Sequence, residues 1–441
     1  MNRRAFVARS AAAVAGMTIS NRTRAATSPN NQITIAAIGV RGRGFAVLKA
    51  FAARPDVDVK YVCDVDRNVL EKRTGQISEI LGRTPNKIAD FRTALDDPSV
   101  DAIILGTPTH WHAIPMIMAC QAGKDVYVEK PDAHNCIEGK IMVAALKKYQ
   151  RVVQLGIQSR SGLYFQEMID YVREGHLGKT LFAKAWESIQ QRSLGHPPNC
   201  DPPAGVDYDT WLGPAPLRPF NPLRFHGNWR WFFDYGAGDL GNDGVHRLDF
   251  THWAFETAVE AYGDPPLGPL QAVSAHGGKS YFDDMQQWPD NLQVTYDYGA
   301  GRVMTYEMRL WTPYPFGGEH EGGALYGDKG YLLIGNHNWR AYSPEGELLK
   351  QGAGSYSKNT HPHVANFLEC MRSRNKPQAD LETVGHPASL MCHLGNAAWR
   401  AGRTIRLDRP TYTCIGDREA TGYLERANYR KPWTLPTLAR L

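Results

Sequence analysis

Short apolar runs alternate with amphipathic stretches through the first third of the chain. Four runs have the length of buried strands, at residues 32–38, 57–63, 101–105 and 125–128. Stretches with helical spacing follow two of them, at residues 45–53 and 113–122. Strands that alternate with helices in this way predict a parallel sheet with right-handed crossovers. We therefore predict an α/β domain with a parallel sheet over residues 31–155.

The pattern changes after about residue 156. Helical spacing recurs near residues 163–174, 363–373 and 387–401. The β-type segments lie at residues 180–189, 271–275, 291–298, 303–311 and 330–334. A proline-rich loop at residues 197–222 and an aromatic cluster follow the first of these segments. We predict one α+β domain over residues 156–441, built on a large, mostly antiparallel open sheet.

The amino terminus has the features of an export signal. Arg3 and Arg4 precede a mildly apolar run at residues 11–19, and Ala25-Ala26 offers a cleavage region. This order predicts a twin-arginine signal with its linker over residues 1–30, and hence a periplasmic or otherwise exported protein. A basic tail is the alternative. We predict no membrane span, because no segment reaches the roughly 18 apolar residues that a membrane helix needs.

The charge of the chain is concentrated in that terminal segment. The formal net charge of +5 equals the five arginines of residues 1–25, which include no other charged group. The rest of the chain is therefore close to neutral, so there is no electrostatic case for a nucleic-acid partner. The seven cysteines are scattered and never form a C-x-x-C pair. This predicts buried thiols, and neither a disulfide framework nor a zinc site.

A glycine-rich turn follows the first predicted strand. Its candidate cofactor contacts are Gly39, Arg41, Gly42, Arg43 and Gly44. Glycines let the backbone approach a pyrophosphate at a helix amino terminus, although Arg41 replaces the middle glycine of the G-x-G-x-x-G pattern. Asp64 follows the second strand, 25 residues after Gly39, where a carboxylate accepts ribose hydroxyls. Asp64 predicts NAD because it repels a 2′-phosphate, and Arg67 keeps NADP as the less favoured alternative.

Lys130 stands at the end of the fourth strand, directly after Glu129. The carboxyl ends of parallel strands border the crevice where open α/β sheets bind ligands. An amine there can hold or deprotonate a substrate hydroxyl beside a dinucleotide, so Lys130 is a candidate for catalysis, substrate binding and cofactor binding. Further candidate cofactor contacts are Glu129 and four residues of the segment that follows the third strand: Thr107, Pro108, His110 and His112. No carboxylate or cysteine lies near the two histidines, so no metal site is predicted.

Taken in order, these motifs resemble the glucose-fructose oxidoreductase and inositol dehydrogenase family, abbreviated Gfo/Idh/MocA. The resemblance rests on the turn at Gly39, Asp64, residues 107–112, residues 122–131 and residues 244–249. It covers nearly the whole chain after residue 31. It implies a Rossmann NAD-binding domain, a second α+β domain, and an oxidoreductase acting on a secondary hydroxyl of a sugar or sugar derivative. It also implies a homo-oligomer, either a dimer or a tetramer.

His246 begins an amphipathic helix after a glycine-rich turn and matches the family's catalytic histidine. Oxidation of an alcohol needs a group that takes the hydroxyl proton, and imidazole titrates near neutral pH. The resemblance makes His246 the candidate base, with Lys130 orienting the same oxygen. Members of the inositol dehydrogenase type have an aspartate four residues before the histidine, whereas this chain has Asn242 and places Asp243 one residue later. Asp243 is therefore a second candidate base, and the further candidate substrate contacts are Arg160, Trp231 and Asn242.

An exported enzyme has no free NAD pool, so we expect its cofactor to be tightly bound and regenerated in place. One chemistry that meets this condition oxidises one sugar and reduces a second carbonyl compound. The alternative is redox-neutral glycoside hydrolysis, in which transient oxidation permits elimination of the aglycone. A second alternative is a non-catalytic sugar-binding protein on a dehydrogenase fold, for which Arg41 and Asn242 are the only support.

Overall fold

The computed structural model describes residues 32–441. The predicted twin-arginine signal lies outside the described residues, so the export and the periplasmic location remain predictions. Within residues 32–441, no helix combines the length and hydropathy needed to cross a membrane. All seven cysteines lie in this part of the chain with free thiols, and six of them are buried.

The amino-terminal domain is the predicted parallel α/β domain. Its six strands are all parallel and lie in the order β3-β2-β1-β4-β5-β6. The strands are β1 (Ile33–Ile38), β2 (Val57–Cys63), β3 (Asn86–Ile88), β4 (Ala102–Leu105), β5 (Asp125–Val128) and β6 (Val153–Leu155). The helices are α1 (Gly42–Ala52), α2 (Arg67–Leu81), α3 (Arg92–Leu95), α4 (Ala113–Gln121) and α5 (Cys136–Tyr149). This order reverses direction between β1 and β4, which is where a doubly wound sheet opens its ligand crevice.

The second domain is built on an eight-stranded sheet in the order β14-β13-β12-β11-β7-β10-β9-β8. Only β7 and β10 pair in parallel, and every other neighbouring pair is antiparallel. The sheet is therefore large and mostly antiparallel, as predicted. Its strands are β7 (Thr180–Ser188), β8 (Ala272–Gly278), β9 (Asn291–Gly299), β10 (Arg302–Arg309), β11 (Glu321–Gly327), β12 (Gly330–Gly335), β13 (Asn338–Tyr342) and β14 (Leu348–Ala353).

Helices cover one face of this sheet. The helices of the second half are α6 (Leu163–Arg173), α7 (Tyr208–Leu212), α8 (Val245–Ala261), α9 (Thr360–Ser373), α10 (His386–Ala401) and α11 (Arg418–Gly422), and β15 (Leu407–Asp408) pairs with β16 (Thr413–Cys414). Helix α8 packs on β7 and β11, and α10 packs on β8. Helix α8 is thereby held over the centre of the sheet, with its amino terminus next to the first domain.

Helix α9 packs on the amino-terminal domain, although it follows the last strand of the second sheet. Its residues Val364, Phe367 and Leu368 are buried in one cluster with apolar residues of α1 and β1. The ring centroids of Phe367 and Phe51 lie 6.0 Å apart in an edge-to-face arrangement. The end of the chain therefore completes the core of the domain that begins it, which the hydrophobic pattern did not predict.

Candidate active site

A cleft of about 690 Å³ separates the two domains at the carboxyl ends of β1, β2, β4 and β5. Gly39, Asp64, Thr107 and Lys130 line its first wall. The second wall comes from residues 225–230, from the start of α8 and from Tyr356. The crevice predicted at the strand ends is thus enclosed by the second half of the chain.

Two glycines of the turn after β1 are required by the close approach of β1 and β4. Gly39 has a φ of +76°, and a Cβ there would lie 2.7 Å from the backbone nitrogen of Thr107. A Cβ on Gly44 would lie 2.0 Å from the carbonyl oxygen of Gly39. Gly39, Arg41, Gly42 and Arg43 line the cleft, whereas Gly44 lies behind it. The turn presents the amino terminus of α1 to the cleft, which suits a pyrophosphate.

Asp64 lies in the cleft at the end of β2. Its two carboxylate oxygens accept hydrogen bonds from the backbone nitrogens of Val40 and Asp66, both at 3.0 Å. Burial raises the pKa of Asp64 above its ordinary value, against the lowering effect of these hydrogen bonds. Each carboxylate oxygen retains acceptor capacity for a ribose hydroxyl. Arg67, the residue that kept NADP open, does not line the cleft.

Arg43 and Glu129, both predicted to bind the cofactor, bind each other in the wall of the cleft. Arg43 Nε lies 2.9 Å from Glu129 Oε1. The guanidinium also donates to Thr360 Oγ1 at 3.1 Å and to Gln158 Oε1 at 3.3 Å. Arg43 thus connects α1, the end of β5 and α9, so its hydrogen bonds stabilise the wall of the cleft.

His110 and His112 do not line the cleft, and the prediction that they contact the cofactor is corrected here. His110 Nε2 bonds to the carbonyl oxygen of Trp211 at 2.9 Å. The two ring nitrogens of His112 lie 2.8 Å from the carbonyl oxygen of Pro131 and 2.9 Å from that of Thr107, and the protonated nitrogen donates to its carbonyl oxygen. Burial lowers the pKa of His110 to about 3, so its ring is neutral. The hydrogen bonds of the two rings hold the loops in place, and Thr107, Pro108 and Trp111 are the residues of 107–112 that line the cleft.

Lys130 meets the turn before α8 across the cleft. Its Nζ donates to the carbonyl oxygen of Asn242 and, at 3.1 Å, to the Asn242 side-chain oxygen. It also lies 3.6 Å from Asp243 Oδ1. A wide π-helical turn at Leu240–Gly244 directs Asn242 and Asp243 toward the lysine. Three candidates from opposite halves of the sequence are therefore in direct contact.

His246 lies in the first turn of α8 and lines the same end of the cleft. It is 4 % exposed, and its Nδ1 has no hydrogen-bond partner among residues 32–441. Burial, and then the charges of Lys130 and Arg247, lower the pKa of His246 well below its ordinary value. The imidazole is therefore neutral near pH 7, which is the form that can accept a proton.

Arg160 and Trp231 lie outside the cleft, so their prediction as substrate contacts is corrected. The Arg160 guanidinium forms two hydrogen bonds with the buried carboxylate of Asp249, and its central carbon lies 4.3 Å from the Trp253 ring. Trp231 is buried in the core. The neighbouring Trp229 and Arg230 line the cleft instead, because the short 3₁₀ turn that contains these residues directs adjacent side chains to different sides.

Sequence reasoning missed several residues of the site. Tyr356 and Gln158 line the cleft, and Trp433 reaches it from the carboxy-terminal segment, where its ring centroid lies 4.7 Å from that of Trp111. Behind the lysine, one carboxylate oxygen each from Glu187, Asp239 and Asp243 lie within 4.8 Å of one another. Glu187 lies on β7 and Asp239 precedes the π-helical turn. No sequence signal indicated Glu187 or Asp239, because their proximity depends on the packing of β7 against the segment before α8.

The dinucleotide turn, the acid after β2 and the lysine facing a histidine define a nucleotide-dependent oxidoreductase. Comparison with protein families agrees. The model of the Gfo/Idh/MocA oxidoreductase family described as an NAD-binding Rossmann fold matches residues 33–157. The model of that family's C-terminal alpha/beta domain matches residues 186–311. The chain belongs to the Gfo/Idh/MocA family of oxidoreductases, with NAD as its cofactor.

Known proteins are similar to most of this chain or to part of it. The scyllo-inositol 2-dehydrogenase (NAD(+)) of Bacillus subtilis is 28% identical over 390 residues, which are 86% of this chain and 97% of that protein. A glycosyl hydrolase family 109 protein of a Shewanella species is 26% identical over 157 residues, 35% of this chain and 34% of its own length. Levoglucosan dehydrogenase, solved in complex with NADH and levoglucosan, matches with a TM-score of 0.64 at 17% identity and covers 85% of this chain and 99% of its own.

Proposed function

We propose that this protein oxidises a secondary hydroxyl of a sugar or cyclic polyol and transfers the hydride to NAD. The observation that carries the proposal is the contact between Lys130 and the turn at Asn242 and Asp243, beside His246, at the end of a cleft that begins at the NAD-binding turn. The name of the relative that aligns over most of the chain, an inositol dehydrogenase, supports a polyhydroxylated substrate.

Lys130 is suited to holding the reacting oxygen. An ammonium has three N–H donors, and the two oxygens of Asn242 occupy two of them. The remaining donor can bind the substrate oxygen and stabilise negative charge on it as the carbonyl forms. Because its side chain is only 13% exposed, little solvent competes for that position.

Proton transfer falls to a group beside Lys130. As the substrate carbonyl forms, the O–H bond breaks and its proton passes to a base, while bound NAD supplies the acceptor for the hydride. His246 is neutral and has an unpartnered Nδ1, so it can take the proton directly. Asp243 is the competing base: burial raises its pKa, but the charges of Lys130 and Arg247 outweigh burial and lower it overall.

A tightly held cofactor, regenerated in place, forms part of the proposal. The loop before α7 closes on the end of β2, where Arg67 N donates to Gly205 O and Asp207 N donates to Val65 O, both at 2.9 Å. Farther along the chain, His226 Nε2 lies 2.8 Å from Asp66 Oδ2. These contacts lie beside Asp64, so the adenosine end of a bound NAD would be covered. Slow release of NAD would suit an exported enzyme.

Redox-neutral glycoside hydrolysis is the second candidate function. It uses the same groups. Oxidation of a hydroxyl acidifies the neighbouring C–H bond, loss of that proton permits elimination of the aglycone, water then adds to the double bond, and the hydride returns to the carbonyl carbon. The partial similarity to a glycosyl hydrolase family 109 protein favours keeping this candidate. The two functions differ in their products: net oxidation yields a keto sugar or keto-polyol, whereas hydrolysis yields a free sugar and leaves NAD unchanged.

The oligomeric state and location are also proposed. We expect a dimer or tetramer, supported by the half-exposed apolar side chains Leu181 and Phe182 on β7. We expect export by the twin-arginine route, supported by Arg3 and Arg4 before the apolar run. Size determination in solution and fractionation of the native host test these two expectations.

The decisive experiment uses the full mature chain and a panel of inositols, free sugars and glycosides. The protein is first denatured and the released nucleotide is quantified. One NAD(H) per chain supports the retained cofactor, and none contradicts it. Products are then identified by mass spectrometry. A keto product supports oxidation, a free sugar without net reduction of NAD supports the hydrolase, and binding of sugars without any product favours the non-catalytic alternative.

A further inference from the structure

The strongest unexplained feature of the site is a pair of buried carboxyl groups behind Lys130. Glu187 is 0% exposed and Asp239 is 1% exposed. One carboxylate oxygen of Glu187 lies within 4.8 Å of one of Asp239. Neither lines the cleft, so neither is available to substrate. Two buried carboxylates in contact repel each other and are both costly to desolvate.

The surrounding cations do not neutralise this pair. Lys130 is paired with Asp243 at 3.6 Å, and Arg247 is paired with Glu321. Arg230 is close enough to influence Asp239, but its buried Nε has no hydrogen-bond partner among residues 32–441. Two ionised carboxylates here would therefore leave a buried negative charge without a counter-ion.

The hydrogen bonds of the pair are also incomplete if both groups are ionised. Glu187 Oε2 accepts from the Tyr306 hydroxyl at 3.3 Å, and Asp239 Oδ1 accepts from Asn242 Nδ2 at 3.3 Å. The second oxygens, Glu187 Oε1 and Asp239 Oδ2, have no donor within the described chain. Because a buried acceptor without a donor costs free energy, one proton between the two groups would remove both the charge and the donor deficit.

The pair reaches Lys130 through a single amide. Asn242 Nδ2 donates to Asp239 and, at 2.9 Å, to Asp243 Oδ2. Both amide hydrogens are thereby used on carboxylates, so the amide oxygen must face the other way, toward Lys130 Nζ at 3.1 Å. An amide has one orientation that satisfies these three contacts.

We propose that Glu187 and Asp239 share one proton, with Glu187 as donor, and that the remaining charge on Asp239 orients Asn242 so that its oxygen holds the Lys130 amine toward substrate. Glu187 and Asp239 are then positioning residues. Asp239 and Asp243 then place negative charge three residues before Asn242 and one residue after it. The effect on catalysis rests on the proposed function, but the shared proton does not.

The charged groups around the pair define how it titrates. Glu187 faces Tyr306 from β10, Asp239 and Asp243 from the segment before α8, and Arg247 from α8. Asp239 faces Glu187, Asn242, Asp243 and Arg230. Burial, and then the charges of Asp239 and Asp243, raise the pKa of Glu187 well above its ordinary value. Glu187 therefore keeps its proton to a higher pH than an ordinary glutamic acid and loses it as the pH rises further.

Infrared spectroscopy on the full chain tests the shared proton without any substrate. We expect the carbonyl band of a protonated carboxyl group at neutral pH, and its loss in Glu187→Gln. Glu138→Gln is the matched control, because Glu138 is also a buried acid with a raised pKa but binds Tyr429, away from the cleft. If no band is removed by Glu187→Gln, the proposal is wrong. One divalent metal ion per chain by elemental analysis, lost in Glu187→Gln, would equally overturn it.

Kinetics test the positioning role. Glutamine mimics the protonated glutamic acid, so Glu187→Gln should keep kcat at pH 7 within about threefold and move the alkaline limb of the rate profile up by about one pH unit or more. Asp239→Ala should lower kcat by about tenfold with unchanged NAD affinity. Glu138→Gln should leave the profile unchanged. An unaltered profile in Glu187→Gln would refute positioning even if the infrared band is present. Absence of activity in the wild-type protein would count against the proposed function and leave the infrared result intact.

Discussion

Individual side chains in the cleft divide into those that sequence patterns identify and those that only packing reveals. Lys130, Asn242, Asp243 and His246 were predicted from motifs, and the structure brings them to one end of the cleft. The predicted substrate contact Arg160 is instead bound by Asp249. A motif marks where the backbone carries a reactive group, but which groups pair with each other depends on contacts between distant segments. Glu187 and Asp239 could not be predicted for the same reason.

Loss of the Lys130 amine should abolish turnover without removing the cofactor. We expect Lys130→Met to lower kcat by at least about 10²-fold, because the amine faces Asn242 and substrate and does not contact the glycine turn. NAD affinity, measured by calorimetry, should change by less than about threefold. Lys124→Met, at a buried lysine bonded to the Asp97 carbonyl oxygen, is the control. Unchanged kcat in the Lys130 variant would contradict its catalytic role.

The two candidate bases can be separated by amide substitutions. If His246 accepts the proton, His246→Asn should lower kcat by about 10²- to 10⁴-fold, the range for loss of a positioned base. Because the pKa of His246 is lowered, the wild-type enzyme should keep its activity below the ordinary imidazole range, and the acidic limb should vanish in the variant. Asp243→Asn should then retain a measurable acidic limb. Full activity of His246→Asn together with an inactive Asp243→Asn would assign the base to Asp243.

The raised pKa of Asp64 predicts how NAD affinity depends on pH. Ribose hydroxyls donate to the ionised carboxylate, so affinity is full above the pKa of Asp64 and declines as the pH falls through it. Because that pKa is raised, the decline should begin at a less acidic pH than for an ordinary aspartate. Fluorescence titration with NAD across pH should show this, and Asp64→Asn should bind NAD more weakly with little pH dependence. Tenfold tighter binding of NADP, about 1.4 kcal/mol, would contradict the assignment of NAD to Asp64.

At the scale of elements, most strands with an apolar sequence were predicted, whereas the short strands and two long helices, α2 and α5, were not. Strands β1, β2, β4, β5, β7 to β10 and β12 follow apolar runs in the sequence. The missed strands include the three-residue β3 and β6, and two that lack an apolar pattern, the exposed β14 and the glycine-rich β11. The π-helical turn before α8 was also not predicted, because a turn of this kind has no hydrophobic period. Yet this turn brings Asn242 and Asp243 to Lys130.

Helix α9 gives a stability prediction at this scale. Phe367 is fully buried against Phe51 and Tyr127, so Phe367→Ala should lower the free energy of unfolding by about 3–5 kcal/mol. In urea unfolding, this loss should appear in the transition whose midpoint NAD raises, because the helix packs on the NAD-binding domain. Phe182→Ala, at a half-exposed ring on β7, should cost no more than about 0.5 kcal/mol in the monomer. A loss confined to a transition that NAD does not shift would contradict this packing.

At the scale of the whole molecule, segments from the second half of the sequence complete both the first domain and the cleft. The predicted boundary near residue 155 marks the end of β6. The first core nevertheless includes α9, and the cleft is completed by residues 225–230, Tyr356 and Trp433. The hydrophobic pattern identified both domains and their order, because each domain has its own period. It could not predict that α9 packs on the first domain, since packing partners far apart along a chain leave no local signal.

The return of α9 to the first domain also determines when this protein can finish folding during synthesis. Once residues 31–155 have emerged from the ribosome, every strand of the parallel sheet is present, but the apolar surface of α1 that receives Phe367 is still uncovered. That surface stays open until more than 200 further residues have emerged. A truncated chain that ends before Thr360 should therefore aggregate or recruit chaperones, even though it contains the complete glycine turn, Asp64 and Lys130.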